Sequence, residues 1–336
     1  MRLHFLMGFL AFIIAATGIQ LAHANNIPDS SGLLPFKVKT TSMNLAIGGL
    51  WNAYAPETIT YMGKERMWIG GWRTHAEQGN DLIYYSELNK GTWSQPTLAF
   101  KRADYAVNDP TVIQHPVNKD WLFMYFTALH KVNHNVENMT STNIVGFASS
   151  IDGGKTWTDH GNVINQNNGY NTHGAWAPAA ILSPDKREIW VYYHTNSPSN
   201  ILLRTRFNIN GWQQVGKTQP VRFSGEARQN GRLNIDVAHY GNSFHLVAND
   251  GSLHDIGYYT SRDGLNFLRR GNITNPIIKG GPHWLLTPHI RVVSDRVLQL
   301  YFGFAPNNSP CSKSWHGINF LINCGDSIHH WTLEVQ

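Results

Sequence analysis

Three carboxylates stand where chemistry could be done. Asp109 precedes Pro110 at the head of "DPTVIQHPVNKDWLFMYFT", Glu57 follows Pro56 in "APETITYMGKERMWIGGW", and Asp236 sits in "NIDVAHYGNSFHLVAND". Acidic residues inside β-prone runs are unusual unless they face a polar pocket. Carboxyls gathered in a poorly hydrated space repel one another. At least one then keeps its proton near neutral pH while another stays ionised. Such a set can donate a proton to one atom and withdraw one from another. Asp before Pro is by itself a turn signal, so the weight given to Asp109 rests on whether its setting recurs.

It does recur. A proline, a short β-prone run, a polar turn and an aromatic run appear from Ala55, from Asp109, from Ala177 ("APAAILSPDKREIWVYYHT") and from Thr287 ("TPHIRVVSDRVLQLYFGF"). Pro56, Pro110 and Pro178 are 54 and 68 residues apart, and Pro288 follows after 110, about two units. The missing unit, without the proline, is the segment that holds Asp236. A strand, a Gly or Asp-Gly turn and an aromatic follow four of the units, ending at Trp93, Trp157, Trp212 and Phe267; the fifth ends in "SIHHWTLEV". Helical periodicity is nearly absent. A unit of three to four antiparallel strands repeated five times predicts an all-β fold, a five-bladed β-propeller with four-stranded blades around a central channel. The expected inner strands begin near Glu57, Asp109, Ala179, Asp236 and His289. The segment "LPFKVKT" (Leu34–Thr40) is expected to close the ring. A shift of two residues along a strand keeps the same face, so Glu57, Asp109 and Asp236 are all expected to point into one channel. A pair of stacked sheets would not explain one repeat found five times.

The 336 residues suit one large all-β domain, and 15% charged with 42% apolar residues is a globular composition. The net charge of +5 is spread without a basic run, so no nucleic-acid partner is expected. "MRLHFLMGFLAFIIAATGIQLAHANN" reads as a secretory leader, Met1 to Ala24, with Ala22-His23-Ala24 as cleavage site. The mature domain would run from Asn25 to Gln336, secreted or periplasmic, monomeric, with no membrane span after leader removal. Cys311 and Cys324, close together in an exported chain, are expected to form one loop-closing disulfide. There is no helical His-x-x-x-His, no Gly-x-Ser-x-Gly elbow and no phosphate-cradling loop.

Asp109-Pro110 and "WAPAAI" (Trp176–Ile181) resemble the blade starts of glycoside hydrolase family 43 and its five-bladed relatives. "SIDGGKTW" (Ser150–Trp157) is similar to the Asp-box turn of sialidases and related propellers, in which Asp152 would cap its own turn. The resemblance implies a carbohydrate substrate and a mechanism in which one carboxylic acid protonates the leaving oxygen and a second carboxylate activates water or attacks the sugar. It implies Glu57, Asp109 and Asp236 as the catalytic set, Asp109 as base or its orienting partner and Glu57 as acid. The family's blade-start glutamate with Gly-Pro is missing. Blade three offers Ala177 and Ala179, and blade five Thr287 and His289; Glu226 in "SGEARQNG" is a loop candidate for a further acid. No cofactor is required, and a structural calcium ion in the channel is compatible with the sequence.

Candidate sugar contacts are Trp51, Tyr54, Trp72, Trp176 and Trp284, whose rings suit stacking on sugars and packing between blades alike. Arg73 and Arg228 suit an acidic sugar, but the Arg-Ile-Pro element usual near the start of a sialidase is not found. His194 and His289 stand near the channel, with His173 and His283 as weaker cases. His289 can be a proton donor, a sugar ligand, an ion ligand or a hydrogen-bonded core histidine. The competing functional reading is a non-catalytic propeller that binds a glycan or a protein partner.

Overall fold

The computed structural model describes residues 36–38, 44–74, 77, 80–132, 135–136, 143–165, 174–195, 201–225, 233–249, 256–273, 283–294, 296–306 and 327–335. The segment expected to be a leader, Met1 to Ala24, and Cys311 and Cys324, expected to be bridged, lie outside the described residues. The described chain is all β: five sheets, each meandering outward from an innermost strand. The innermost strands are Asn52–Tyr61, Tyr105–Gln114, Trp176–Leu182, Leu233–Tyr240 and His283–Ser294. They touch their neighbours in the cyclic order one–two–three–four–five–one. This is the five-bladed propeller expected from the repeat.

Two details differ from expectation. All five inner strands begin about three to six residues before the expected residue, because strand pairing continues through the blade-start bulge. One pairing is parallel: Arg222–Ser224, at the edge of blade four, lies beside Asn266–Ile273. Blade five is completed from the N-terminal side. Phe36–Val38 pairs with Ser327–Val335, Phe36 opposite Val335, and Asn44–Ile47 pairs with the same strand. Five apolar clusters among the described residues fill the spaces between adjacent blades, one at each seam of the ring. Trp68, Tyr125, Tyr192, Phe126, Phe147 and Trp331 are among the fully buried rings.

The outer turns are locked to the neighbouring blade. In "SIDGGKTW", Asp152 Oδ1 accepts from the backbone N–H groups of Lys155 and Thr156, and Oδ2 accepts from the Thr156 hydroxyl at 2.6 Å. Asp152 thus caps its own turn. Asp263 does the same in "SRDGLNF". The carbonyls these turns expose are taken by the blade before. Trp68 Nε1 donates to Gly154 O at 2.8 Å, Tyr125 OH to Gly211 O at 2.7 Å, and Tyr192 OH to Gly264 O at 2.8 Å. Trp68, Tyr125 and Tyr192 occupy one repeat position, opposite Glu57, Thr111 and Ala179 on the inner strands.

Tyr125→Phe removes one of these latches and leaves a buried carbonyl unmatched. The expected cost is about 1–2 kcal/mol, read as a melting temperature lower by about 2–4 °C. A variant that melts like the wild type would show that packing alone holds the turn.

Candidate active site

Each inner strand carries the same irregularity. Between Tyr54 and Glu57, Asn108 and Thr111, Trp176 and Ala179, Leu233 and Ile235, and Leu286 and His289, the strand has one residue more than its partner. This is a β-bulge. Its first residue is left-handed in every blade: Ala55, Asp109, Ala177, Asn234 and Thr287 have φ between 44° and 51°. None is glycine, and such backbone costs roughly 1–2 kcal/mol per residue. Proline follows in four blades, tolerated because a bulge on an innermost strand leaves no ladder hydrogen bond to lose. All five bulges line one axial cavity of about 30 Å³, room for about a water molecule.

Two residues past the left-handed position stand Glu57, Thr111, Ala179, Asp236 and His289. Their side chains stitch blade to blade through one pattern. The backbone N–H of Ile290 donates to Asp236 Oδ2 at 2.8 Å, that of Thr58 to His289 Nε2 at 3.1 Å, and that of Ala180 to Thr111 Oγ1 at 3.0 Å. The Val112 N–H serves the Glu57 carboxylate in the same way. A second ring lies at the left-handed residues themselves. The Ala55 N–H donates to Thr287 Oγ1, the Ala177 N–H to Thr127 Oγ1 and the Thr287 N–H to Asn249 Oδ1.

Glu57, Asp236 and His289 converge. His289 Nδ1 lies 2.9 Å from Asp236 Oδ2 and 3.2 Å from Glu57 Oε2, and all three residues are buried. Burial pushes the Glu57 carboxyl up to about 7, partly offset by His289. For His289, burial works against the imidazolium, but the two carboxylates outweigh it and raise the ring to about 10. The Thr58 N–H at Nε2 suits a neutral ring with its hydrogen on Nδ1. The two carboxylates at Nδ1 favour the imidazolium instead, whose Nε2 hydrogen the Thr58 hydroxyl, 2.9 Å away, can accept. A calcium ion takes six to eight oxygens. Glu57, Asp236 and His289 offer ligand atoms within 4.8 Å of one another, two carboxylates and one ring nitrogen, which is a minority of the oxygens calcium takes.

Asp109 belongs to a different group. Its Oδ2 accepts from the Thr127 hydroxyl at 2.9 Å, and that hydroxyl in turn accepts the Ala177 N–H. Thr127 has one hydrogen, so its direction is fixed. Burial pushes Asp109 up to about 7; the Thr127 bond opposes and the Asp81 charge adds. Glu57 and Asp236 line the same cavity, but the carboxylate that crowds Asp109 is Asp81, absent from the expected set. With Oδ2 occupied, the proton of Asp109 falls on Oδ1. The hydrogen bonding thus favours Asp109 as acid, the reverse of the expected division.

The other expected residues divide. Trp51 is exposed, and Tyr54 and Trp176 are half-buried at the head of their strands. Trp72 is buried and offers no stacking face to a ligand. His194 is buried and stacked on Trp176, ring centroids 4.9 Å apart. Arg73 is exposed, donates to Pro96 O at 2.9 Å and covers the Tyr84 ring. Glu226, Arg228 and His173 lie outside the described residues, as do the side chains of His283 and Trp284. Sequence reasoning missed Thr111 and Thr127, although Thr111 occupies the Glu57 position of the repeat. It also missed Asn108 and Asp81; Asp81 has no counterpart in the repeat to reveal it.

No protein-family profile matches the chain, and no curated protein matches it. Solved structures do. A GH43_1 enzyme from Xanthomonas citri superposes with TM-score 0.63 at 11% identity, over 86% of this chain and 89% of that one. RS223 β-xylosidase gives 0.62 at 12%, over 87% and 95%. A family 117 glycoside hydrolase from the marine bacterium Zobellia galactanivorans gives 0.61 at 13%, over 90% of each chain. The chain shares the five-bladed fold of these hydrolases.

The raised groups make stability depend on pH in one direction. Asp109 and Glu57 hold their protons up to about 7 when folded, against 3.8 and 4.5 ordinarily. Unfolding therefore releases protons between about pH 4 and 7, and stability falls as pH rises through that window. His289 extends the fall from 6.5 towards about 10. The opposite loss, on acidification, sets in below about pH 6.5, where burial holds His329 down to about 4 and also lowers His330, His245, His239 and His115; Asp263, held at about 2 by its turn's hydrogen bonds against burial, adds to it below about pH 4. The melting temperature should be higher at about pH 6.5 than at about pH 8.5, a range in which the lowered histidines are neutral when folded and largely so when unfolded. Asp109→Asn should melt above the wild type by more at the higher pH than at the lower. A flat or rising profile would show that these carboxyls are ionised at no cost.

Proposed function

We propose that this protein is an exported glycoside hydrolase acting on an oligo- or polysaccharide by carboxylate acid–base chemistry at the axial cavity. The observation that carries the reading is that two carboxyls lining one cavity, Asp109 and Glu57, are both held near neutrality by burial. At neutral pH one can be protonated while the other is ionised, as glycosidic cleavage requires. Asp109 acts as acid through Oδ1. Glu57, beside His289, acts as base, and Asp236 holds His289. Trp51, Tyr54 and Trp176 offer rings for sugar faces. The fold relation to β-xylosidases and other glycoside hydrolases supports the substrate class. Export rests on the leader.

A second reading has its own support. Glu57 and Asp236 already accept bonds from the next blade, so their carboxylates are accounted for by the ring's own architecture. On that reading the propeller holds a glycan at the channel mouth and cleaves nothing.

The test pairs two substitutions at each ring residue. Glu57→Gln and Asp236→Asn keep an acceptor oxygen for the neighbouring N–H, whereas the alanine variants leave it unmatched. The alanine variants should lose about 1–3 kcal/mol of stability, while the amide variants keep the fold. On a panel of aryl glycosides and xylan-type polysaccharides, Asp109→Asn and Glu57→Gln should lower turnover about a hundredfold or more. Full activity in both amide variants would reject the catalytic assignment. Saturable glycan binding with no product from any substrate would establish the second reading.

A further inference from the structure

Asp81 ends the loop before Leu82–Asn89, the third strand of blade one, outside the repeat that places the other carboxylates. It is nonetheless 7% exposed and fastened to blade two at two points. Its carbonyl accepts the Val107 N–H at 2.9 Å, and its Oδ2 accepts from Asn108 Nδ2 at 3.2 Å. Asn108 Nδ2 also reaches the Tyr54 hydroxyl at 2.9 Å. Val107 and Asn108 are the two residues before Asp109, so blade one grips the chain at the point where it turns left-handed.

We propose that Asp81 is the positioning residue of the Asp109 carboxyl: it anchors the two residues before Asp109 and sets a second carboxylate beside it, so that the pair keeps one proton and Asp109 carries it. A clamp needed only for shape could use asparagine or serine. A carboxylate at that place adds a negative charge that neither of those would bring to the neighbouring acid. Like charges at close range hold one proton between two acids. The Asp81 charge acts on both Asp109 and Tyr54, in the raising direction at each. Burial contributes more at both, and the Thr127 hydroxyl works the other way on Asp109. The remaining ionisable groups lining the cavity, Glu57, Asp236 and His289, are occupied with one another two residues deeper. The hydrogen-bond partners give the division of labour. Asp81 accepts one amide hydrogen of Asn108 and the Tyr54 hydroxyl, donors that suit an ionised carboxylate. Asp109 takes a single hydroxyl on Oδ2 and has Oδ1 for the proton.

The consequence for turnover rests on the glycoside-hydrolase reading; the proton assignment does not. The experiment is a carbon-13 NMR titration of the aspartate carboxyls of the full mature chain, with Asp109→Asn and Asp81→Asn used to assign the two resonances. In the wild type, Asp109 should titrate near neutrality, and the Asp81 resonance should show a step at the same pH. In Asp81→Asn, the Asp109 midpoint should move down by at least about half a pH unit, the sign expected when a like charge is removed. If the enzyme turns over a glycoside, the alkaline limb of kcat/KM should move down with it. A merely structural clamp would lower stability and leave both midpoints in place. An unchanged Asp109 midpoint in Asp81→Asn overturns the proposal. So does a wild-type Asp81 resonance with no step at the Asp109 midpoint, which decides the matter even where the variant does not fold. A coupled titration with no hydrolysis would sustain the proton pair and reject the hydrolase reading alone.

Discussion

The structure depends on one bond made over and over: a backbone N–H of one inner strand donated to a side chain of the blade before. The left-handed bulge makes it possible. An extra residue at Ala55, Asp109, Ala177, Asn234 and Thr287 turns the strand so that the side chain two positions on reaches the next blade. Innermost strands are sheet edges, and an edge presents N–H groups that must find acceptors. A propeller cannot pair these edges with each other, since the strands splay around the axis. Side-chain acceptors at a fixed repeat position solve the problem, and they bring polar groups to the axis whatever the protein then does there.

That requirement explains why the candidate chemistry sits in the middle of the architecture. Glu57, Asp236 and His289 would be chosen as acceptors even in an inert ring, as Thr111 is. Their convergence is therefore weaker grounds for catalysis than it first looks. Asp109 is the stronger case. It stands at the left-handed position, where Ala55 and Ala177 do the same backbone work without a carboxyl. Its carboxyl bonds only the Thr127 hydroxyl, faces no cation among the described residues, and lowers stability whenever it ionises. A group that is costly and structurally replaceable is one that function retains.

Much of this was legible in the sequence. Spacing of the prolines revealed the repeat, because a bulge on an edge strand is one of the few places in a sheet that tolerates proline. Blade four fits the same rule by other means: Asn234 adopts the left-handed conformation readily and needs no proline to mark it. Asp109 was visible because it heads a repeat unit. The split of the carboxylates into two groups was not, since the alternation of a strand says which face a residue takes and nothing of who stands opposite. Asp81 was hidden for a related reason: a loop outside the repeat has no equivalent position to compare. Trp72 was misjudged because aromatic residues at strand ends serve inter-blade packing and sugar stacking equally well, and only burial separates them.

The five seams are not alike, and their differences follow from how a ring must close. Between blades three and four the acceptor position holds Ala179, whose methyl accepts nothing. That seam is instead packed by Val237, Leu246 and Tyr259, with Trp190 stacked on Phe244. Between blades five and one, where the chain ends meet, polar contacts accumulate: Ala55 to Thr287, Thr58 to His289, and Arg291 to both Thr60 and Glu65. Apolar packing tolerates a sliding fit, whereas hydrogen bonds accept one register only. The last seam is packed as well, by Ile47, Ala53, Met67, Ile69, Tyr301 and Ile328, and Asn44–Ile47 carries the chain from blade five into blade one. Its two inner strands are nonetheless far apart in sequence, and these hydrogen bonds hold them to one register. Placing the ionisable groups beside this seam serves that register, and it sets the proton-holding cluster where the ring is made or broken.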